Sequence, residues 1–147
     1  MHQTSLLDLV PHSGGGTSGL AGLMPSIRAA MYRVADAYGP GRKMLAEAIS
    51  KVARREGVSL GSTGAKSVSE EVLDKWLQTG APGHEPNLKA LLCFCIATQD
   101  FSPLEPIWKA CGLAVIPADD LRYLRVGKAQ VRLQEAKEEY NKARAGL

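Results

Sequence analysis

The sequence predicts an all-α protein: a helix-turn-helix-type helical domain followed by a long C-terminal helix. Three observations carry that expectation. Apolar residues recur at i, i+3, i+4 and i+7 through most of the chain, the stripe of a helix with one buried face. Gly/Pro/Ser breaks separate these periodic segments, notably Gly39-Pro40-Gly41, Gly57 to Gly64 and Gly80 to Gly83. From Ala118 onward the chain is one long helical pattern, with a strict 3,4 spacing of apolar positions from Val126 to Leu147. With only 5% aromatic residues the interior is expected to be aliphatic. The predicted organisation is a flexible leader over 1–24, a helical DNA-binding domain over 25–117 and a C-terminal oligomerisation helix over 118–147.

The leader is expected to be unordered, because His12 to Gly19 is a Gly/Ser linker. Leu6, Leu7, Leu9 and Val10 form its one apolar cluster. The first helix is predicted over 26–38, capped by Ser26, with Ile27, Ala30, Met31, Val34, Ala35 and Tyr38 facing inward. Pro40 disfavours helix at Gly39, so this tripeptide is a corner. The second helix, 42–56, buries Met44, Leu45, Ala48, Ile49, Val52 and Ala53 and leaves Arg42, Lys43, Lys51, Arg54 and Arg55 on its remaining surface. A Gly/Ser-rich connector follows. The third helix starts at Ser67 or Ser69, whose hydroxyl can cap orphan amides, while Glu70 and Glu71 suit the positive helix end. Its apolar face is Val68, Val72, Leu73, Trp76 and Leu77, with Trp76 expected to be buried against the second helix.

Asn87 is the predicted cap of a fourth helix, Leu88 to Thr98, which is apolar on almost every side and so central to the core. Ser102 caps a fifth, with Pro103 at its first position and Leu104, Ile107, Trp108 and Ala110 inward; Gly112 ends it. Residues 113–116 read as a brief strand or an extended linker. The last helix carries Val126, Ala129, Leu133, Ala136, Tyr140, Ala143 and Leu147 on an a/d seam. A helix with so thin a stripe is marginal alone in water. Homo-oligomerisation through the seam is the favoured reading, and packing back on its own domain the rival.

Charge is uneven. Eight Lys/Arg against three acids between Ser26 and Lys66 give +5, whereas three against six from Ser67 to Pro117 give −3. A basic block suits an anionic polymer, double-stranded DNA in this reading, although a solvated basic helix explains it as well. In the helix-turn-helix reading the third helix enters the groove and the second crosses the backbone. Arg42 and Lys43 then hold phosphate at a helix start, Lys51, Arg54 and Arg55 flank the groove, and Lys66, Ser67, Ser69 and Lys75 lie at or on the reader helix. Two features oppose this. The connector is longer than the 3–4 residues of a compact motif, and Glu70 and Glu71 face phosphates poorly. Either the Ser and Lys residues carry the contacts while the glutamates accept from cytosine amines, or the helix does not bind DNA.

No enzyme is expected. Gly61-Ser-Thr-Gly64 lacks the lysine and strand of a phosphate loop, the three histidines assemble no nucleophile set, and the Glu70-Glu71 and Asp119-Asp120 pairs point to different helix faces. Cys93, Cys95 and Cys111 have no zinc or redox spacing and read as core residues in a reducing compartment. No cofactor or metal is implied. No apolar run reaches the ~20 residues of a membrane span, and the N-terminus does not read as a secretory signal, so a cytoplasmic protein is expected.

The segment NLKALLCFCIATQDFSPLEPIWKACG resembles the helix–TGD–helix stretch of small bacteriophage-encoded CII-like regulators. Thr98, Asp100, Pro103, Leu104 and Gly112 stand at the matching positions, with Gln99 in place of the usual glycine. GRKMLAEAIS and VSEEVLDKWL look like the two helices of that family's motif, Asp74-Lys75-Trp76 looks like its second-helix signature, and the likeness covers roughly 29–112. It implies a phage or prophage transcriptional regulator that binds DNA as an oligomer in the bacterial host cell. The alternative from another class is a helical protein-interaction adaptor.

Overall fold

A computed structural model describes residues 19–147 apart from 62, 81 and 82. The Leu6–Val10 cluster and most of the expected leader therefore lie outside the described residues. Every regular element among them is helical: α1 Leu23–Ala37, α2 Arg42–Glu56, α3 Glu70–Leu77, α4 Leu88–Thr98, α5 Glu105–Ala110 and α6 Leu121–Ala145, with 3-10 turns at Ser102–Leu104 and Ala118–Asp120. Residues 113–117 form no strand. The chain divides after Leu113 into two compact units, the second being 114–147.

In the first unit α3 packs on both α1 and α2, α4 lies along α2, and the 102–110 segment packs on α1. The expected stripe of α1 is buried from Ile27 to Ala35, Tyr38 is half-buried just past the helix end, and the helix starts at Leu23 rather than 26. Leu23 and Met24 gain core contact that way, and Pro25 is tolerated in a first turn. Ser26 is consequently not the cap. Its hydroxyl donates back to the Gly22 carbonyl at 2.8 Å.

Gly41, at φ +93°, makes the corner into α2. At the far end Gly57 takes the left-handed conformation and Val58 N–H returns to the Ala53 carbonyl at 3.0 Å, so the helix stops where orphan carbonyls are satisfied. The connector is anchored rather than loose. Leu60 and Val68 are buried, and the buried Ser50 hydroxyl accepts from Val68 N–H at 2.9 Å while donating to the Ala46 carbonyl at 2.8 Å. Gly57, Gly61 and the residues 63–67 are exposed.

Ser69 is the cap of α3, accepting from Val72 N–H at 3.2 Å. Asn87 caps α4, accepting from Ala90 N–H at 2.8 Å. At the end of α4, Gln99 stands at φ +54°, the one non-glycine positive φ among the described residues. Ser102 is the first residue of the next turn rather than its cap, and the Asp100 carboxylate just before it accepts from Ser102 N–H at 2.9 Å. Bonds from the Ser102 hydroxyl and amide hold that carboxyl below its ordinary range.

Several expected core positions are on the surface. Met44 (49% exposed), Val72 (40%), Leu88 (65%) and Leu92 (39%) lie outside the packed core of the first unit, and Ala46 and Ser50 replace Met44 in the α2 core. Ala110 is also exposed, and Trp108 only half-buried. Trp76 is buried as expected, and Cys93 and Cys95 are core residues, but Cys111 is exposed because α5 ends beside the surface Gly112 turn. Burial raises the Cys93 thiol and pushes Cys95 up to about 12, the Asp100 carboxylate adding to the latter.

Candidate nucleic-acid interface

One α2 residue advances about 100° around the axis, so residues four apart stay on one side. Lys43, Lys51 and Arg54 therefore share a stripe opposite the buried Leu45–Ile49–Val52 arc, and all three are exposed. Among the described residues no ion pair holds any of them, although Glu47 lies between Lys43 and Lys51. Arg55, on the edge of the stripe, is partly neutralised by Glu56, Nε to Oε1 at 2.9 Å. Lys66 and Ser67 are exposed on the connector loop. This stripe is the most concentrated solvent-facing positive charge the fold assembles from the expected site residues.

Arg42 is separated from that stripe. One residue before Lys43, it turns to the core-facing side of α2 and lines a groove of about 710 Å³ with Tyr32, Arg33, Asp74, Gln78 and Thr79. Its guanidinium lies 5.3 Å from the Tyr32 ring centre and 4.0 Å from the Asp74 carboxylate. Nη1 is buried there without a hydrogen bond. Arg42 thus joins α1, α2 and α3 rather than forming one phosphate clamp with Lys43. The position of Arg33 beside it was not legible, since no spacing links two residues on different helices.

The expected reader helix offers less than its sequence promised. Ser69 spends its hydroxyl on the α3 cap, and Lys75 Nζ sits 3.1 Å from Glu71. The Ser69 hydroxyl accepts there and keeps its own proton to donate, while Lys75 must first leave Glu71, an exposed i,i+4 pair that is weak and easily opened. The rest of the outer face of α3 is Glu70, Glu71, Asp74 and the exposed Val72. That face is acidic.

Arg28, counted in the sequence only as part of the basic block, holds α3 in place. It is 2% exposed. Its Nε donates to the Trp76 carbonyl at 3.0 Å, and Nη2 donates to the carbonyls of Lys75 at 3.2 Å and His84 at 2.8 Å. A buried guanidinium is tolerated only when so solvated, and the last carbonyls of α3 are the negative end of that helix. A signal existed: Arg28 stands in the i, i+3, i+7 row of the buried Met31 and Ala35.

Comparison with protein-family models, curated proteins and solved structures finds no match. The likeness to CII-like regulators rests on its spaced residues alone. Among the described residues no cluster of three or more His, Cys, Asp or Glu could hold a metal, and no helix is long and apolar enough to cross a membrane.

Proposed function

We propose that this chain binds double-stranded DNA as a transcriptional regulator of the phage or prophage type, in the cytoplasm of a bacterial host, and acts as a homo-oligomer through α6. The observation that carries the reading is the exposed Lys43–Lys51–Arg54 stripe on α2, held by no ion pair among the described residues. Such charges neutralise phosphates whatever the base sequence. Contact in this reading begins from α2, with Lys66 and Ser67 on the connector loop within the same exposed set. Sequence discrimination by α3 requires its carboxylates to accept from cytosine amines and Lys75 to leave Glu71. Cooperative support for the DNA reading comes from the CII-like spacing described above.

A second reading has its own observation. The acidic outer face of α3, formed by the exposed Glu70, Glu71 and Asp74, suits a basic protein partner and so a helical adaptor. A mobility-shift series on random duplex separates the two. The DNA reading expects affinity to fall steeply as salt rises, by about 0.9 in log K per log unit of salt for each neutralised phosphate. Absence of duplex binding at low salt leaves the adaptor.

A further inference from the structure

The α6 seam is not symmetric between its two kinds of position. Val126, Leu133 and Tyr140 occupy one, and each is more than half exposed. Alanine occupies the other every time, at 129, 136 and 143. No residue of the helix is buried. Two such helices can meet in only two ways. Parallel and in register, each layer repeats a residue: Tyr140 meets the partner's Tyr140, while Ala136 and Ala143 on either side meet the partner's Ala136 and Ala143. One layer is overfilled and its neighbours are hollow, which close packing penalises twice. Antiparallel, every large residue faces a small one. Val126 falls opposite the partner's Ala143, Leu133 opposite the partner's Ala136 and Tyr140 opposite the partner's Ala129. All layers then have similar volume.

The flanking charges choose the same way. In the antiparallel register Arg132 lies across from the partner's Glu139, and symmetry repeats the pair. In the parallel one Arg132 meets the partner's Lys137, a like-charge contact that offsets the attraction of Glu139 for the partner's Arg144.

We propose that α6 docks antiparallel on α6 of a second copy of this chain, large side chains seated on alanines, with Arg132 and Glu139 fixing direction and register. The inference rests on the reading of α6 as the oligomerisation helix and adds its partner, stoichiometry and polarity. It has a geometric consequence: at 1.5 Å per residue the two Leu121 positions stand about 40 Å apart, whereas a parallel pair places them about 10 Å apart. The two copies of the N-terminal unit are then tethered at opposite ends of the helix pair.

The test is sedimentation equilibrium on the full chain and two charge variants. The parent is expected to be a dimer. Arg132→Glu turns both cross-pairs into Glu–Glu repulsion and should weaken the dimer about tenfold; adding Glu139→Arg should restore it to within about twofold. In a parallel pair Arg132→Glu would instead meet Lys137 and tighten the dimer. Thiol cross-linking in a Cys111→Ser background gives an independent result. A mixture of Val126→Cys and Ala143→Cys chains should cross-link, and Val126→Cys alone should not. A dimer that Arg132→Glu tightens, or that Val126→Cys alone cross-links, overturns the antiparallel pairing while leaving oligomerisation intact. A trimer or tetramer overturns the two-helix pairing. A monomeric parent overturns the oligomeric reading itself.

Discussion

Replacing Arg28 by Ala should be among the most damaging single changes in the first unit. The side chain is buried on α1 and, among the described residues, donates to three carbonyls, two at the end of α3 and one at His84 in the segment leading to α4. A typical hydrogen bond contributes about 1 kcal/mol net, and one from a charged donor about 1.5–3. Part of that is offset by the cost of having desolvated the guanidinium. Three bonds at the lower value, plus the penalty for leaving the Trp76 carbonyl buried without a donor, give roughly 3–5 kcal/mol. That is a large share of the 5–15 kcal/mol typical of a domain. Arg28→Lys should recover only part of it, because one ammonium lacks the planar fork that reaches separate acceptors. Urea unfolding followed by tryptophan fluorescence measures the loss as a shift in midpoint at constant slope. Arg33→Ala, an exposed arginine on the same helix, is the control and should stay within about 0.5 kcal/mol. If Arg28→Ala costs no more than Arg33→Ala, the anchoring of α3 by Arg28 is wrong.

Trp76, 5% exposed at the junction of α3 with its neighbours, should cost roughly 3–5 kcal/mol when truncated to Ala; a loss under about 1 kcal/mol in the same assay removes it from the core. Gln99 holds φ +54° at an exposed helix end, so Gln99→Gly should stabilise by roughly 0.5–1 kcal/mol, and a lower urea midpoint refutes the strain at this position. Of the three thiols only Cys111 should react with a colorimetric disulfide reagent in the native protein, and all three in urea. Cys95 binds its proton more tightly folded than unfolded, with a folded pKa of about 12 against 9.0. Its contribution is therefore complete below pH 9.0 and lost as pH rises toward 12, at up to about 1.4 kcal/mol per unit. The stability difference between parent and Cys95→Ala should narrow over that window; a difference independent of pH refutes it.

What the sequence reveals is what local chemistry decides. Ser69, Asn87 and Gly57 end their helices as side-chain caps and a left-handed stop, and each acts within a few residues of itself. The buried arc of α1 follows from period alone. Other features depend on which helix lies opposite. Met44, Leu88 and Leu92 satisfy the apolar pattern but lie outside the packed core of the first unit, so period alone does not bury them. Leu60 is an isolated apolar residue in a Gly/Ser stretch and becomes core only because α2 ends where it can fold back. Ser26 and Ser102 are plausible caps that stand inside their turns instead, Ser26 because α1 starts earlier and Ser102 with the Asp100 carboxylate accepting from its N–H. The candidate site divides for the same reason. Lys43, Lys51 and Arg54 form a stripe by helical repeat alone, but the groove that takes Arg42 needs Tyr32 and Asp74 from two other helices.

The account turns on whether the α2 stripe meets phosphate. The direct measurement is duplex affinity across a salt series for the parent and for the triple variant Lys43→Ala/Lys51→Ala/Arg54→Ala. All three residues are exposed, so the fold should survive, and circular dichroism and the urea midpoint confirm that it has. Each lost phosphate contact removes about 0.9 from the log K against log salt slope. The account predicts a slope shallower by about 2.7 in the triple variant, with weakening on every sequence alike. A folded triple variant that binds duplex with the parent's affinity and slope, or a parent that binds none, contradicts it.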